Sequence, residues 1–215
     1  MALRGVLHGV NLSPFVRKVR AALAYKSIDY ELMNVMPGAM DAEFLAKSPL
    51  SKIPVWEEDG WALPDSSVIC AYLERMQPDP PLYPVEPRAF ATELFWEEYA
   101  DTRLVDSSTP IFFQRIVRAR FFKQPADEGI VRRHLDEVLP PVFDQIENLF
   151  IPTSDASRIS IGTLSIWAPF VSLDHAGLEL DEKTWPGLAG FLEKMNSHPL
   201  LAALIQEERG ALSAS

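Results

Sequence analysis

The stretch from Ile53 to Ser66 contains residues that could together bind a small peptide. Pro54 stands at the start of a predicted strand, where a proline indicates an edge position or an unusual peptide bond. If the Ile53–Pro54 bond is cis, the Ile53 backbone turns outward, and its N–H and C=O groups can pair with an extended ligand. Asp65 and Ser66 then begin a helix whose unpaired N–H groups and positive dipole end favour a carboxylate. A backbone ladder beside an anion site would suit a short peptide with a free carboxylate.

A hairpin and a helix must position these residues. Residues 53–57 and 61–63 predict two short strands, and the Asp59-Gly60 turn between them accepts the positive φ that a tight hairpin needs. Asp65 and Ser66 can cap the helix that follows. Apolar residues recur at helical spacing along one face of this helix, namely Val68, Ile69, Tyr72, Leu73 and Met76.

The residues before the hairpin predict a strand at 3–8, a helix, a strand at 28–35 and a short helix at 41–46. Ser13 is the expected N-cap of the first helix, and Pro14 fits its first position. We expect this helix to bury one apolar stripe and to place its basic residues on other faces. The stripe consists of Phe15, Val16, Val19, Ala22 and Leu23, and the basic residues are Arg17, Lys18 and Arg20. This order of elements is typical of a thioredoxin-like α/β domain, a mixed sheet with helices on both faces.

The pattern becomes all-helical after residue 77. Residues 77–87 carry five prolines, which can neither continue a helix nor lie inside a sheet. The sequence therefore predicts a thioredoxin-like domain at 1–77, a linker at 78–87 and an all-helical domain at 88–215.

Prolines also mark the expected irregularities of the helical domain. Pro110 should kink or end a long helix, and Pro140-Pro141 should divide another. The last helix is expected to end near Glu208, with a frayed tail after Gly210.

Composition and charge exclude several classes of function. The 215 residues carry a net charge of −10 and a pI near 4.9, which argues against a surface for nucleic acid or an anionic membrane. The single cysteine, Cys70, fits a reducing compartment and is expected to be a small packed hydrophobe. Four scattered histidines show no ligand spacing, so no metal site is expected. No segment approaches membrane-span length and the N-terminal residues lack an apolar signal region, which predicts a soluble, cytoplasmic protein.

Three motifs, in this order, resemble the glutathione-binding half of the glutathione transferase family. They are Lys52-Ile53-Pro54-Val55, Asp65-Ser66 and Ala71-Tyr72-Leu73-Glu74. The segment from Ser13 to Arg20 is similar to the active-site segment of serine-type members. An α/β domain followed by an all-helical domain matches the family's architecture over nearly the whole length. The resemblance implies a cytoplasmic, homodimeric glutathione S-transferase that joins its co-substrate glutathione to small hydrophobic electrophiles in detoxification.

Ser13 is the candidate catalytic residue that the resemblance implies. Cysteine-type relatives, which favour thiol exchange, have a cysteine at this position, so a serine indicates conjugation. A free thiol is mostly protonated and poorly nucleophilic at neutral pH. A hydroxyl donating to the sulfur, aided by the amide end of the helix that starts at Pro14, would favour the thiolate, which then attacks the electrophile. Ser13 is expected to activate the nucleophile and not to be one, since no GxSxG elbow exists.

The resemblance also assigns the contacts of the peptide. The Ile53 backbone would bind the cysteinyl portion, beside Pro54. Asp65 and Ser66 would bind the γ-glutamyl end, although Asp65 could be only an N-cap. Lys52 would meet the glycyl carboxylate, or it could be a solvated surface lysine.

The electrophile pocket is the part of the site with the fewest sequence signals. In the family it lies between the two domains, so Val10, Phe112, Phe113 and Ile116 are candidates to line it. An aromatic pair at helical spacing can equally belong to the core. Phe15 could line the sulfur pocket or pack in the core.

One departure from the family pattern lies at a helix start in the helical domain. The family usually has a Ser/Thr-x-x-Asp capping box, whereas this chain has Ser160 and Thr163. The shorter, uncharged Thr163 predicts weaker reciprocal capping and a weaker dipole interaction, by about 0.5–1 kcal/mol.

Two other functions stay open at this stage. One is a non-catalytic regulator of the same fold, like the stringent-starvation type that contacts RNA polymerase, which would not need a working peptide site. The presence of Ser13, Pro54 and Asp65-Ser66 together favours a working peptide site and so counts against this alternative. A glutathione-dependent isomerase or dehalogenase is the other alternative. The maleylacetoacetate isomerase branch typically has Ser-Ser-Cys where this chain has Ser13-Pro14-Phe15, which counts against it.

Overall fold

The computed structural model describes residues 4–214, except for the side chains of Arg4 and Ala214. Leu3 and Ser215, which the predicted elements included, lie outside the described residues. The chain forms two compact units, one extending to Phe90 and the other starting at Ala91. None of the helices in the described part of the chain has the length and apolar character needed to cross a membrane.

Residues 4–86 form a four-stranded mixed sheet and three helices. The strands are β1 (Arg4–His8), β2 (Asp29–Met33), β3 (Val55–Glu58) and β4 (Trp61–Pro64), and the helices are α1 (Pro14–Tyr25), α2 (Ala42–Lys47) and α3 (Ser66–Met76). β1 pairs parallel with β2 and antiparallel with β3, and β3 pairs antiparallel with β4. The resulting order β2-β1-β3-β4 confirms the predicted thioredoxin-like sheet.

The hairpin between β3 and β4 forms because its two turn residues tolerate positive φ. Asp59 has φ 48° and Gly60 has φ 78°, which closes a two-residue connection. The register then pairs Glu58 with Trp61 and Val55 with Pro64. The first strand of the hairpin starts two residues later than predicted.

The two faces of the sheet are covered by different helices. Leu7 and Trp56 pair across β1 and β3 and are completely buried on one face. His8 and Glu57 point to the other face because side chains alternate along a strand. There α2 packs on the sheet, with the Phe44 ring 6.1 Å from the His8 ring.

The expectation that the basic residues of α1 lie away from its buried stripe was wrong. Arg17, Lys18 and Arg20 are all buried. Arg17 Nη2 donates to the Leu12 carbonyl at 3.3 Å, and Arg20 Nε donates to the Tyr30 hydroxyl at 2.7 Å. Burial of these cations is possible because polar acceptors are built in beside them, which an apolar periodicity does not reveal. Phe15, assigned to the stripe, is only half-buried.

The predicted linker at 78–87 packs against the first unit at a buried lysine. Lys26 Nζ donates to the carbonyls of Gln77 and Pro80 at 2.6 and 2.9 Å, and it lies 2.6 Å from a carboxylate oxygen of Glu74. The same carboxylate accepts the N–H of Leu82 at 3.1 Å. This segment is therefore held in place by specific bonds. The predicted boundary between the domains stays a prediction.

Helical structure continues from Pro87 to Phe121 without interruption. It consists of α4 (Pro87–Tyr99), a π-helical segment Ala100–Leu104, α5 (Val105–Phe112) and a second π-helical segment Phe113–Phe121. Pro110 lies inside α5 and does not end the helix there. The irregular hydrogen bonding falls on either side of α5, where π segments occur.

The remaining described residues are also helical, and no strand occurs in 91–214. α6 (Glu128–Arg133) and α7 (Leu139–Gln145) are joined by the π segment His134–Val138, so the helical structure is not divided at Pro140-Pro141, and the predicted kink stays a prediction. The segments after it are a π segment Ile146–Phe150, a 3₁₀ turn Ile151–Thr153, α8 (Ile161–His175), α9 (Pro186–Ser197) and α10 (Pro199–Ala214). The predicted all-helical second region is confirmed.

The last helix is longer than predicted. α10 includes Gly210 and extends to Ala214, where a frayed tail was expected. Leu212 is buried, and its carbonyl accepts a hydrogen bond from Arg120 Nη1 at 3.0 Å. This tertiary anchor compensates for the low helix propensity of a glycine.

The weak cap predicted for α8 is also corrected. Ser160 and Thr163 form a reciprocal capping box, with the Ser160 N–H donating to Thr163 Oγ1 at 2.9 Å. The missing acidic group comes from Glu93 on α4. Its Oε2 accepts from the Ser160 hydroxyl at 2.8 Å and from the Gly162 N–H at 2.7 Å. A carboxylate thus lies at the α8 N-terminus after all, where it interacts favourably with the helix dipole.

Candidate functional site

The Ile53–Pro54 peptide bond is cis, which was the condition of the predicted peptide site. Pro54 is buried, and Ile53 lies just before β3. Within residues 4–214 the structure records no hydrogen bond to the N–H or the C=O of Ile53. Both groups are therefore available to an extended ligand.

The loop that leads to Ile53 is closed by a side chain that the sequence analysis missed. Ser48, at the end of α2, is buried, and its hydroxyl donates to the Lys52 carbonyl at 2.7 Å. The same oxygen accepts the Lys52 N–H at 3.1 Å. A serine in a loop carries no specific signal for such a contact, so the sequence did not single it out.

The start of α3 combines a capped turn with free polar groups. Asp65 is the N-cap with φ 81°, and its Oδ1 accepts the N–H groups of Ser67 and Val68 at 3.0 and 3.2 Å. A non-glycine residue at positive φ with ψ 126° is unusual, and such conformations concentrate at ligand sites. Ser66 is 4% exposed, and in the described part of the chain its N–H and hydroxyl have no recorded partner. Asp65 is therefore an N-cap, and among the described residues its Oδ2 has no recorded hydrogen bond.

Ser13 is the N-cap of α1, with Pro14 at the first helical position, as predicted. Its Oγ accepts the Val16 N–H at a long 3.4 Å. A serine that accepts from the helix keeps its own proton to donate. Among the described residues the Phe15 N–H has no recorded hydrogen bond. The first turn of α1 therefore has two donors without a recorded acceptor, the Ser13 hydroxyl and the Phe15 N–H.

Two contacts bring these parts of the first unit together. A Cβ on Gly9 would lie 2.5 Å from Val16 Cγ2 and 3.4 Å from Ile53 Cβ, so the first turn of α1 and Ile53 flank the same glycine. Lys18 Nζ donates to Ser67 Oγ at 3.1 Å, which joins α1 to the first turn of α3. Ser13, Ile53 and Ser66 therefore lie on neighbouring segments of one unit.

The remaining predicted residues fall in varied surroundings. The side chain of Lys52 is exposed and Phe15 is half-buried. Val10 is half-buried in the loop after β1. The roles suggested for these residues stay predictions.

The candidate pocket residues of the second unit differ in their exposure. Phe112 is half-buried, and Phe113 exposes 41% of its surface and contacts the Phe122 ring at 6.3 Å. Ile116 is buried and lines a hollow of about 450 Å³ together with Arg115 and Arg120. Their assignment to an electrophile pocket stays a prediction.

A charged cluster ties α2 to the sheet near the site. Glu57 Oε2 lies 2.7 Å from His8 Nε2 and accepts from Lys47 Nζ at 2.9 Å. The hydrogen bond from Lys47 holds the pKa of the Glu57 carboxyl below its usual value, and the His8 contact acts in the same direction. The pKa of the Lys47 ammonium is raised, first by its hydrogen bond to Glu57 and then by that to Glu43. The pair is therefore charged at neutral pH.

No group of three or more His, Cys, Asp or Glu side chains in residues 4–214 is arranged to hold an ion. Cys70 is buried in α3.

Comparison with known proteins connects this geometry to a family. Residues 7–81 match the N-terminal domain of glutathione S-transferases. A stringent starvation protein A homolog from Haemophilus ducreyi is 37% identical over 73 residues, 34% of this chain and 34% of that protein. A probable glutathione S-transferase from Glycine max is 28% identical over 203 residues, 91% of this chain and 85% of that protein.

A solved structure extends the similarity to the whole fold. A glutathione transferase family member from Pseudomonas fluorescens Pf-5, with bound glutathione, has a TM-score of 0.75 and 26% identity over 93% of this chain and 98% of its own. Several sequence matches are shorter: for the Haemophilus ducreyi protein and two plant transferases, the chain spans 34% to 52% of the relatives' own length. The matched region contains Ser13, Ile53 and Ser66, and the resemblance seen in the motifs is confirmed. Residues 7–81 are therefore related to the N-terminal domain of glutathione S-transferases, and the chain as a whole has the fold of a glutathione transferase family member.

Proposed function

We propose that this protein is a glutathione S-transferase that joins the glutathione thiolate to small electrophiles. The single observation that carries the proposal is the set of free polar groups on Ile53 and Ser66 in the first unit. A peptide ligand needs polar groups of this kind on neighbouring segments, whereas a protein that only used this fold as a scaffold would not.

The bound tripeptide would satisfy these groups. Its cysteinyl N–H and C=O would pair with the C=O and N–H of Ile53 in a short antiparallel ladder. Its γ-glutamyl carboxylate would accept from the N–H and hydroxyl of Ser66 at the α3 N-terminus. Asp65 Oδ2 would accept from the γ-glutamyl ammonium, and Lys52 would meet the glycyl carboxylate.

The thiol would then lie beside the first turn of α1. The Ser13 hydroxyl would donate to the sulfur while its oxygen continues to accept from Val16, and the Phe15 N–H would add a second positive group. Both interactions favour the thiolate over the thiol, because they stabilise negative charge. The thiolate attacks the electrophilic carbon, a C–S bond forms, and the leaving group departs with its electron pair. We propose Val10, Phe112, Phe113 and Ile116 as residues that contact the electrophile.

Replacing Ser13 with alanine tests this mechanism. We expect Ser13→Ala to bind glutathione with nearly wild-type affinity, to raise the pKa of the bound thiol, and to slow conjugation at neutral pH about tenfold, the effect of one hydrogen bond to a charged group. The measurement is the ultraviolet absorbance of the bound thiolate against pH, together with the pH–rate profile for an aryl halide electrophile. An unchanged pH–rate profile would remove Ser13 from the mechanism.

The rival functions predict different behaviour toward glutathione. A protein-binding regulator is suggested by the relative named stringent starvation protein A homolog. Such a protein would bind glutathione weakly or not at all, so immobilised glutathione distinguishes it from a transferase. A glutathione-dependent isomerase would bind glutathione but would return it unchanged after each turnover.

We also propose that the protein is a homodimer in the cytoplasm. Trp61 and Val68 of the first unit are exposed, and the Trp61 ring contacts that of Tyr72 at 5.0 Å. Val68 lies one helical turn before Tyr72 on the same face of α3, so these apolar residues adjoin one another, and exposed apolar patches often form interfaces. Sedimentation velocity should give a dimer for the wild type and a smaller species for Val68→Lys, whereas a monomeric wild type would refute the proposal.

A further inference from the structure

We propose that Ser48 is a positioning residue for the peptide site, because its hydroxyl aims the Ile53 N–H at the ligand, and that Lys47 and Glu57 hold Ser48 in place. This inference rests on the proposed binding of glutathione along Ile53. It explains why the Ile53 N–H points toward the ligand, and it attributes this orientation to Ser48, which does not itself contact the ligand.

The orientation follows from the geometry of one peptide unit. The carbonyl of Lys52 and the N–H of Ile53 belong to the same planar group, and in a trans peptide they point in opposite directions. The cis bonds recorded in residues 4–214 are Ile53–Pro54 and Asp79–Pro80, so the Lys52–Ile53 unit is trans. Ser48 Oγ donates to the Lys52 carbonyl at 2.7 Å. The Ile53 N–H must therefore point away from Ser48.

The second bond of Ser48 orders the preceding peptide unit, which joins Ser51 to Lys52. Its oxygen accepts the Lys52 N–H at 3.1 Å, so one hydroxyl contacts both polar groups of Lys52. The Ser51 N–H donates to the Ser48 carbonyl at 2.8 Å, which closes the loop from its other side. Three hydrogen bonds thus order the five residues before Ile53. Ligand binding therefore does not have to order this loop, and the loss of conformational entropy on binding is smaller.

The ion pair fixes the helix that carries Ser48. Lys47 precedes Ser48 at the end of α2 and donates to Glu57 on β3, at 2.9 Å. His8 on β1 lies 2.7 Å from the same carboxylate, so Glu57 connects the end of α2 to β3 directly and to β1 through His8. Lys47 also donates to Glu43 at 3.0 Å, but the side chain of Glu43 is 80% exposed. Glu57 is therefore the partner that ties α2 to the sheet, and Glu43 is a surface contact of small effect.

Alanine substitutions in the same loop provide the test. Ser48→Ala should raise the Kd for glutathione, measured by titration calorimetry, about tenfold, the loss expected for two hydrogen bonds. Ser51→Ala also removes a serine hydroxyl, but at an exposed position three residues further along the loop. It should leave the Kd for glutathione within about twofold of the wild-type value. Lys47→Met should raise Kd about threefold, and Glu43→Gln should not change it.

The kinetic pattern separates positioning from a general loss of structure. In the variants KM for glutathione should rise while kcat at saturating glutathione stays at the wild-type value, because bound glutathione meets an intact Ser13. Urea unfolding reports whether Ser48→Ala still folds, and Lys47→Met serves as the milder variant if it does not. A folded Ser48→Ala that binds glutathione as tightly as the wild type would overturn this inference alone. Failure of the wild type to bind glutathione would overturn the proposed function, and the inference with it.

Discussion

Lys26→Met is expected to lower the free energy of unfolding by about 3–5 kcal/mol, the largest single effect that the structure implies. The Lys26 side chain is completely buried, and its ammonium contacts Glu74 and the carbonyls of Gln77 and Pro80. Methionine keeps most of the aliphatic volume but removes the charge. It therefore leaves the largely buried Glu74 carboxylate and two carbonyls without their common donor. Urea unfolding monitored by tryptophan fluorescence measures the change.

Two further variants show whether the charge causes this effect. Lys183→Met removes an exposed lysine in the second unit and should change the free energy of unfolding by no more than about 0.5 kcal/mol. The double variant Lys26→Met/Glu74→Gln should be more stable than Lys26→Met, because it no longer contains an uncompensated carboxylate. A loss below about 1 kcal/mol in Lys26→Met would contradict this account of the segment after α3.

Glu93→Ala is expected to lower the free energy of unfolding by about 1.5–3 kcal/mol, the usual contribution of hydrogen bonds to a charged group. The Glu93 carboxylate accepts from the Ser160 hydroxyl and the Gly162 N–H at the start of α8. Alanine leaves both donors without this acceptor and removes the negative charge from the positive end of a largely buried helix. Denaturant unfolding gives the overall loss, and hydrogen exchange of the Gly162 amide locates it.

The matched control lies on the same helix. Glu98 is an exposed glutamate of α4, and Glu98→Ala should change stability by no more than about 0.5 kcal/mol. Glu93→Gln retains an acceptor oxygen without the charge and should be intermediate. Protection of the Gly162 amide in Glu93→Ala equal to that in the wild type would show that Glu93 does not cap α8.

Local signals in the sequence were sufficient for much of the first unit. The Asp59-Gly60 turn, the Ser13 cap with Pro14, and the Asp65 cap all depend on residues within four positions of one another. Their physics is contained in a short window, so the pattern predicts the structure. Ile53 and Ser66 became candidates this way, because each lies at the predicted start of an element, whereas the role of Ser13 was indicated by the resemblance to the family.

Contacts between distant residues could not be predicted from such windows. Glu93 accepts a hydrogen bond from Gly162, 69 positions later in the sequence, at the start of α8. Lys26 donates to carbonyls that are 51 and 54 positions away. Nothing near Lys26 distinguishes it from a surface lysine. The same limit explains the error at Arg17 and Arg20, whose charge was taken as a sign of exposure. In the folded protein both side chains are buried because they form hydrogen bonds to polar acceptors.

The burial of Cys70 allows the first turn of α1 to be labelled selectively. It is the one cysteine of the sequence, and its side chain has no contact with solvent. In Ser13→Cys, an alkylating reagent would therefore encounter a single reachable thiol, at the first turn of α1. The pH dependence of its alkylation rate would measure how strongly that turn stabilises a sulfur anion when no tripeptide is bound. The electrostatic contribution of the protein could thus be separated from the contribution of ligand binding.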